Sequence, residues 1–315
     1  MPTPIFTVTV SDAANTPFEL VAFTGREAIS QLFQFELTLK LPNAVAKNLK
    51  PDTIIHAPIE LQVQYSDNYE ETSPGKTHII NGFVQSLYRE YKSSATHHYY
   101  RAVMVPNAAI MGKNQTYDIF ENTNINDILT GKCNTYAGKG VQADFSDLNA
   151  DYPARHFVCQ YAESDFNFIA RQAAYWGIRF RVNHQQGGLL EFSDAIETTT
   201  GCIESTSLVD ACGTHNRYLS VYELRSDCEA VTEKVVVTEL TMNQVDRLIY
   251  AETTHTDTEY CLHLTNEGCD TQDEAELIAN IRLQEQQTYR TRFQGATGIP
   301  VLTPGFVLNI DCNGH

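Results

Sequence analysis

The stretch that decides the fold reads QYAESDFNFIARQAAYWGI and covers residues 160–178. Ser164 is a natural N-cap for a helix over residues 164–176, and Asp165 favours the positive end of the helix dipole. Gly177 can end the helix, because glycine readily adopts a positive φ. The apolar residues that share one helical face are Phe166, Ile169, Ala170, Ala173 and Trp176. The pattern predicts an amphipathic helix that buries the single tryptophan near its C-terminal end.

A β-hairpin is predicted directly after this helix. Residues 178–182 alternate between apolar and polar side chains, residues 185–188 are Gln-Gln-Gly-Gly, and residues 189–193 return as a second strand. Before the helix, residues 155–161 predict a strand and residues 122–137 predict another amphipathic helix. Asn122 or Thr123 can cap that helix, and Gly138 can end it. The middle of the chain is therefore interpreted as an α/β segment.

The sequence on both sides of this segment predicts strands. Alternating stretches occupy residues 5–10, 33–40, 59–65, 78–84 and 99–105, with turn-forming residues between them. Towards the C-terminus, strands are predicted at 220–224, 234–240, 247–252 and 306–310. Thr271 and Glu274 form a capping box for a helix that runs to about residue 287. Strands at this spacing are typical of antiparallel barrels and sandwiches.

These patterns together predict a mixed, β-rich (α+β) fold. Two antiparallel β-barrel-like domains flank or pack with an α/β segment. The predicted boundaries are residues 1–106 for the first barrel-like domain, 107–200 for the α/β segment, and 201–315 for the second barrel-like domain.

The composition excludes several classes of protein. The chain has 315 residues and a formal net charge of −17. A chain this acidic repels phosphate, so we expect no nucleic-acid partner. No apolar run approaches the roughly 18 residues of a spanning helix, so we expect no stable membrane insertion, and the N-terminus has no signal-peptide pattern. The eight cysteines are expected to be free, buried thiols in a reducing cytoplasm, with a disulfide framework as the alternative.

Motifs for catalysis are missing from the sequence. It contains no nucleophile elbow, no phosphate-binding loop and no dinucleotide fingerprint. His97 and His98 lack the companion ligands that a zinc site needs. A Cys–His pair carries no information in a chain with eight Cys and ten His. The sequence therefore predicts no catalytic residue, no cofactor and no metal site.

Two further segments contain recognisable motifs, as the stretch at 160–178 does. Residues 21–30 read VAFTGREAIS, followed by FQFEL at 33–37, and residues 292–295 read RFQG, followed by LTPGF at 302–306. The three segments together resemble the VgrG family, the spike proteins of bacterial type VI secretion. The residues that match the family's motifs, which we expect to be structural, are Phe23, Gly25, Glu27, Ser30, Glu163, Ser164, Asp165, Phe168, Arg171, Trp176, Gly177, Gly295, Pro304 and Gly305.

The resemblance implies a structural hub that is similar to a phage tail hub. In such proteins two related barrels per subunit form a homotrimer with pseudo-sixfold symmetry, which sits on a hexameric Hcp tube among baseplate proteins. A C-terminal OB-fold and β-spike follow, and they carry a PAAR-type tip and effectors. We expect this sequence to end before the OB-fold.

The resemblance also implies a location and a role. The protein would be cytoplasmic during assembly and would then be exported by the secretion machine, to the outside or into a target cell, without a signal peptide. Its role would be that of a non-enzymatic adaptor between tube and spike. Two alternatives stay open, namely the hub of a contractile phage or phage-like tail, and an uncharacterised hydrolase or binding module.

Overall fold

The computed structural model describes residues 4–12, 14–66, 75–90, 96–195, 200–209, 219–240, 248–256 and 260–312. Contacts between residues divide the chain into two units. Unit 1 comprises Met1–Gln172, Ile178–Thr206 and Ile299–Asn309, and unit 2 comprises Ala173–Gly177, Ser207–Gly298 and Ile310–His315. Each unit thus combines segments that are distant in sequence. The three-part division at residues 106 and 200 stays a prediction.

The N-terminal strands form one antiparallel sheet in unit 1, with the order β1-β4-β5-β6-β3-β2. The bounds are β1 Ile5–Val10, β2 Glu19–Arg26, β3 Gln34–Pro42, β4 Pro58–Tyr65, β5 Lys76–Glu90 and β6 His97–Val105. A short helix, α1, occupies Asn43–Ala46. All five predicted N-terminal strands are confirmed, and β2 is an additional strand that the alternation did not indicate.

One face of this sheet forms a core. Leu37, Leu39 and Leu41 of β3 are at most 1% exposed, because alternate side chains of a strand share a face. At the edges of the sheet, the rings of Phe6 on β1 and Phe23 on β2 lie 5.2 Å apart. The two edge strands therefore approach each other, and the sheet curls as the barrel-like prediction requires.

The rest of unit 1 contains the α/β elements. Their bounds are β7 Gln115–Thr123, α2 Ile125–Thr135, β8 Ala143–Asp147, β9 Arg155–Ser164, α3 Asp165–Tyr175, β10 Arg179–Asn183, β11 Leu189–Ser193 and β12 Thr200–Ser207. The predicted helix and hairpin are confirmed as α3, β10 and β11, with β10 and β11 antiparallel. β8 joins β11 in parallel, and β7 pairs with β9 as a two-stranded antiparallel ribbon. The last three residues of α3 fall in unit 2.

The ends of α2 differ from the prediction. The N-cap is Asn124, whose side chain accepts a hydrogen bond from the Asp127 backbone N–H at 2.9 Å, so the predicted caps Asn122 and Thr123 are wrong. The helix ends before a 3-10 turn, and Gly140 (φ 83°) closes that turn in the left-handed conformation. Gly138 therefore does not end the helix.

Unit 2 contains two further sheets and a long helix. The bounds are β13 Val221–Cys228, β14 Lys234–Leu240, β15 Leu248–Thr254, β16 Cys261–Thr265, α4 Gln272–Gln287 and β17 Thr291–Thr297. The last strand, β18 Val307–Asp311, lies mostly in unit 1. The order of the three-stranded sheet is β15-β14-β16, and β13 pairs with β17. β12 and β18, most of whose residues belong to unit 1, form a separate two-stranded sheet. β14 and β16 run parallel. The predicted residue Arg247 lies outside the described residues.

The capping box of α4 is confirmed. The Thr271 hydroxyl accepts a hydrogen bond from the Glu274 backbone N–H at 3.2 Å, and the Glu274 carboxylate accepts one from the Asp270 backbone N–H at 2.9 Å. One face of α4 is buried through Ala275, Ile278 and Ala279. The described strands and helices together confirm a mixed fold that is rich in β-structure.

Six cysteines are free thiols in the described residues, as the redox argument predicts. Cys133 and Cys269 are buried, but Cys228 and Cys312 are exposed, so the expectation of buried thiols is wrong for these two. Cys212 and the side chain of Cys202 lie outside what the structure describes.

Candidate functional site

The stretch at 160–178 forms the end of β9 and the whole of α3. Ser164 caps α3, because its hydroxyl accepts a hydrogen bond from the Asn167 backbone N–H at 3.2 Å. Gly177 follows the helix with φ 69°, the left-handed conformation that glycine adopts without strain. Trp176 is 2% exposed. The predicted cap, stop and buried tryptophan are therefore confirmed.

The buried face of α3 differs from the predicted one. Phe168, Ile169, Ala173 and Gln172 are buried, whereas Phe166 and Ala170 are only half-buried. Phe168 is fully buried because its ring stacks on Phe120 of β7 at 5.5 Å. The ribbon covers this side of the helix, which the periodicity of α3 alone does not reveal.

A buried charge cluster centred on Asp165 lies beneath the β7–β9 ribbon. Asp165 is 4% exposed, and its Oδ1 accepts hydrogen bonds from Lys132 Nζ at 2.9 Å, Gln160 Nε2 at 3.1 Å and Thr116 Oγ1 at 3.1 Å. The Tyr136 hydroxyl donates to Oδ2. Four donors, from β7, β9, α2 and the residue that follows α2, thus converge on the first residue of α3.

Lys132 is the cation of this cluster. It is 9% exposed, and its Nζ lies 5.6 Å from the ring centroids of both Phe120 and Phe168. It also donates a hydrogen bond to Asp118 Oδ2 at 3.2 Å. Burying an ammonium is costly unless it is paired, and here two carboxylates and two aromatic faces satisfy it.

The electrostatics of the cluster favour a fixed arrangement. Burial alone raises the pKa of Asp165, but hydrogen bonds from Tyr136, Lys132 and Gln160 outweigh burial and hold that pKa below its ordinary value. Burial, together with the bond to Asp165, raises the pKa of the Tyr136 hydroxyl to about 12. Asp165 is therefore an anion and Tyr136 a neutral donor at neutral pH, so the cluster holds the ribbon and the two helices together.

Sequence reasoning missed Lys132. The helix predicted over residues 122–137 is amphipathic, as expected, and Ile128, Leu129 and Cys133 lie on its buried face. Lys132 lies four residues after Ile128 and three after Leu129, so it falls on that same face. A lysine on an apolar helical face signals a buried partner, but the partner's identity is a matter of tertiary structure.

A second cluster of titratable side chains includes Glu27 of the N-terminal motif at residues 21–30. His184 Nε2 and Glu27 Oε1 are 2.9 Å apart, and the ring of His184 lies edge-on to that of His78 at 5.6 Å. Both histidines are buried. Burial, and to a smaller extent the neighbouring His184, lower the pKa of His78 to about 4. His78 is therefore neutral at neutral pH.

A cavity of about 520 Å³ next to this cluster brings two of the three motif segments together. Phe23, Gly25 and Glu27 line it from the N-terminal motif, and Pro304 lines it from the C-terminal motif. The other lining residues are mostly apolar. The two segments are far apart in sequence but belong to the same part of unit 1.

The glycines of the motifs are required by close packing. A Cβ on Gly25 would lie 1.9 Å from Phe35 Cδ1, and a Cβ on Gly295 would lie 2.5 Å from the backbone oxygen of Glu223. Gly305 has φ 86°, and a Cβ there would lie 2.7 Å from Arg181 Cδ.

Arg181 holds the C-terminal motif in place. Its Nη1 donates a hydrogen bond to the Gly305 carbonyl at 3.0 Å, and its guanidinium lies 4.2 Å from the Phe306 ring centroid. Arg181 Nε also donates to Glu191 Oε2 at 2.7 Å, which fixes the arginine on the hairpin.

The remaining motif residues also make structural contacts. The Ser30 backbone N–H donates to the Phe180 carbonyl at 2.7 Å, and Arg171 Nη2 donates to Glu163 Oε1 at 2.5 Å. Most motif residues of unit 1 thus fall into a ribbon group around Asp165 and a cavity group around Glu27, whereas Trp176, Gly177 and Gly295 belong to unit 2. That these residues serve as structural family positions stays a prediction.

The described residues contain no group of three or more His, Cys, Asp or Glu side chains that could hold a metal ion. His97 and His98 lie on β6. No helix in the described part of the chain is long and apolar enough to cross a membrane.

Comparison with known proteins gives a family and several relatives. A family described as the phage tail baseplate hub (GPD) matches residues 26–314. The type VI secretion system spike protein VgrG5 of Pseudomonas aeruginosa is 30% identical over 181 residues, which are 56% of this chain and 21% of that protein. VgrG4b of the same organism is 27% identical over 186 residues, 58% of this chain and 21% of that protein. The chain therefore aligns with about a fifth of the length of these relatives.

Solved structures share the fold at low sequence identity. The E. coli c3393 protein, a component of the type VI secretion system, has a TM-score of 0.66 and 17% identity, over 98% of this chain and 67% of that one. The prophage MuSo2 43 kDa tail protein of Shewanella oneidensis has a TM-score of 0.63 and 13% identity, over 97% of this chain and 89% of that one. The hub-like fold that the resemblance implies is confirmed.

Proposed function

Because the chain belongs to the phage tail baseplate hub family, we propose that it is the hub region of a type VI secretion spike. In this role it is a trimeric, structural adaptor between an Hcp-like hexameric tube and a spike that punctures a target membrane. The observation that carries the proposal is the family match over residues 26–314, joined to spike proteins as sequence relatives.

The geometry supports a mechanical role. The residues that carry the resemblance make packing contacts, caps and buried ion pairs, as at Asp165, Gly25 and Gly305. The related proteins found are tail hub and spike proteins, so we propose that the chain catalyses no reaction. A hydrolase or a small-molecule binding module is the alternative that this proposal replaces.

A type VI context is favoured over a phage tail. A prophage tail protein and a second tail protein share the fold, but fold alone does not separate the two machines. The relatives at 30% and 27% identity are type VI spike proteins, which favours that system.

The partners follow from the role. We propose that trimers of the chain contact the Hcp-like tube and baseplate proteins, and that PAAR-type tips and effectors bind a β-spike rather than residues 1–315. The protein assembles in the cytoplasm and leaves the cell with the secretion machine. A trimer can match a sixfold tube if each chain contributes two similar faces to the ring.

The experiment that tests this function is secretion of the tube protein. Deleting the gene in its own host should abolish release of the Hcp-like protein into the medium, and the wild-type gene should restore release. A gene with Asp165→Ala should fail to restore it, whereas Tyr88→Ser, at an exposed residue of β5, should succeed. Release that continues unchanged without the gene contradicts the proposal.

A further inference from the structure

The outer face of the β7–β9 ribbon is exposed and mostly apolar, with the carboxylate of Glu121 opposite Phe157. Side chains alternate along both strands, so Thr116 and Gln160 point to the Asp165 cluster while their neighbours point outward. The outward side chains are exposed to 70% at Tyr117, 59% at Ile119, 56% at Phe157 and 74% at Tyr161. We call these four residues the ribbon patch.

The ribbon patch has the size of an interface centre. An aromatic side chain can bury 150–250 Å², so these four exposed side chains present on the order of 500 Å². A stable interface buries about 800 Å² on each partner, with a central apolar cluster and a polar rim. The patch thus supplies more than half of one side of such an interface, and neighbouring polar surface supplies the rest.

The patch is rigid before any partner binds. The Tyr117 and Tyr161 rings meet edge to face at 5.2 Å, which fixes the two largest side chains against each other. Beneath them, Lys132 and Asp165 pin the inner face of both strands. Aromatic anchors that are already ordered lose little entropy on association.

The net charge around the ribbon is small enough for a second copy of the same acidic chain to approach it. β7 and β9 carry Asp118, Glu121, Glu163 and Arg155, and the charged groups bonded to them are Lys132, Asp165 and Arg171. Four acids and three bases give a local charge of −1, in a chain whose net charge is −17. Like-charge repulsion between two copies is therefore weak at this face.

We propose that a second copy of this chain covers the ribbon patch, so that the ribbon forms part of the contact between subunits of the trimer. This inference rests on the proposed hub function. In a closed ring of three the contact is heterologous, so the ribbon of each subunit packs against a different surface of its neighbour.

Sedimentation velocity of the full chain over a wide concentration series tests the proposal. The variants are Ile119→Asp and Tyr161→Asp, which place a charge in the patch, and Tyr161→Phe as the conservative variant. Tyr88→Asp is the matched control, because Tyr88 is 59% exposed on a different sheet. Fluorescence of buried Trp176 and far-UV circular dichroism verify that each variant is folded.

We expect both patch variants to raise the concentration of half-assembly at least tenfold, as loss of an interface anchor does. Tyr161→Phe and Tyr88→Asp should assemble as the wild type does. In a second measurement, the half-buried Cys159, which lies on the outer face beside the patch, should react more slowly with maleimide in the trimer than in the dilute monomer.

The outcomes separate this inference from the proposed function. A wild-type trimer that the patch variants leave intact, with Cys159 labelled at one rate in trimer and monomer, overturns the ribbon contact alone. A wild-type chain that stays monomeric at every concentration overturns both. Patch variants that assemble normally but lose tube-protein release in the host assign the patch to a different partner, and this also overturns the inference.

Discussion

Removing the cation from the buried cluster should destabilise unit 1 in a pH-dependent way. In Lys132→Met, a side chain of similar length replaces the ammonium between Phe120 and Phe168. Asp165 then stays buried without its cation. The apolar stem is conserved, so the change isolates the charge rather than the packing.

The expected loss is about 2 to 3 kcal/mol at neutral pH. Removing one partner of a buried ion pair costs about 3–5 kcal/mol. Asp165 keeps three uncharged donors, from Tyr136, Gln160 and Thr116, so the expected loss lies at or below the lower end of that range.

The loss should shrink in acid. The pKa of Asp165 is lowered in the folded wild type, so the stability that this carboxylate contributes is present above its ordinary pKa of 3.8 and disappears as the pH falls through the lowered value. In the variant the pKa rises, because Lys132 no longer opposes burial. The difference between the two proteins should therefore narrow between neutral pH and about pH 4.

Urea unfolding followed by circular dichroism measures the free energy of unfolding at each pH. Lys40→Met, which breaks the exposed pair of Lys40 with Glu19, is the matched control and should leave the midpoint unchanged. A Lys132→Met protein as stable as the wild type at neutral pH refutes the reasoning. A loss of the same size at every pH refutes the electrostatic part of it.

Three other perturbations have expected outcomes. Trp176→Ala should cost about 3–5 kcal/mol because the side chain is buried, and wild-type fluorescence should resist iodide quenching. Gly25→Ala should cost about 1–3 kcal/mol because its Cβ meets Phe35, while Gly138→Ala, with open space around it, should not lower the melting temperature. The folded-state pKa of His78 is lowered to about 4, so the wild type should lose stability between about pH 6.5 and 4, and His78→Gln should lose up to about 3 kcal/mol less over that range in urea titrations.

Local sequence rules predicted the elements whose signals are local. The α3 helix carries its cap at Ser164, its stop at Gly177 and an apolar stripe, and all three are confirmed. β3 and β4 alternate cleanly because one of their faces is buried. The hairpin of β10 and β11 follows from its glycine turn. Each of these signals lies within a few residues of the element it predicts.

The features that the sequence did not reveal depend on distant partners. β17 has five consecutive exposed residues, so its sequence does not alternate between apolar and polar residues. β2 is also mostly exposed, and its sequence lacks a clear alternation for that reason. The buried face of α3 includes Phe168, unlike the predicted face, because β7 covers that side of the helix. The pairing of Lys132 with Asp165 joins residues 33 positions apart, and no local pattern encodes such a contact.

The clasp of Arg181 on Gly305 and Phe306 has a consequence for biosynthesis. The segment Ile299–Asn309 belongs to unit 1, yet the ribosome makes it after the stretch Ser207–Gly298 of unit 2. At 5–20 residues per second, translating that intervening stretch takes roughly 5–20 s. During this interval Arg181 on the nascent hairpin lacks its contacts with Gly305 and Phe306, and the wall of the cavity next to Glu27 is incomplete. A chaperone that binds nascent chains should therefore engage unit 1 until the segment Ile299–Asn309 emerges.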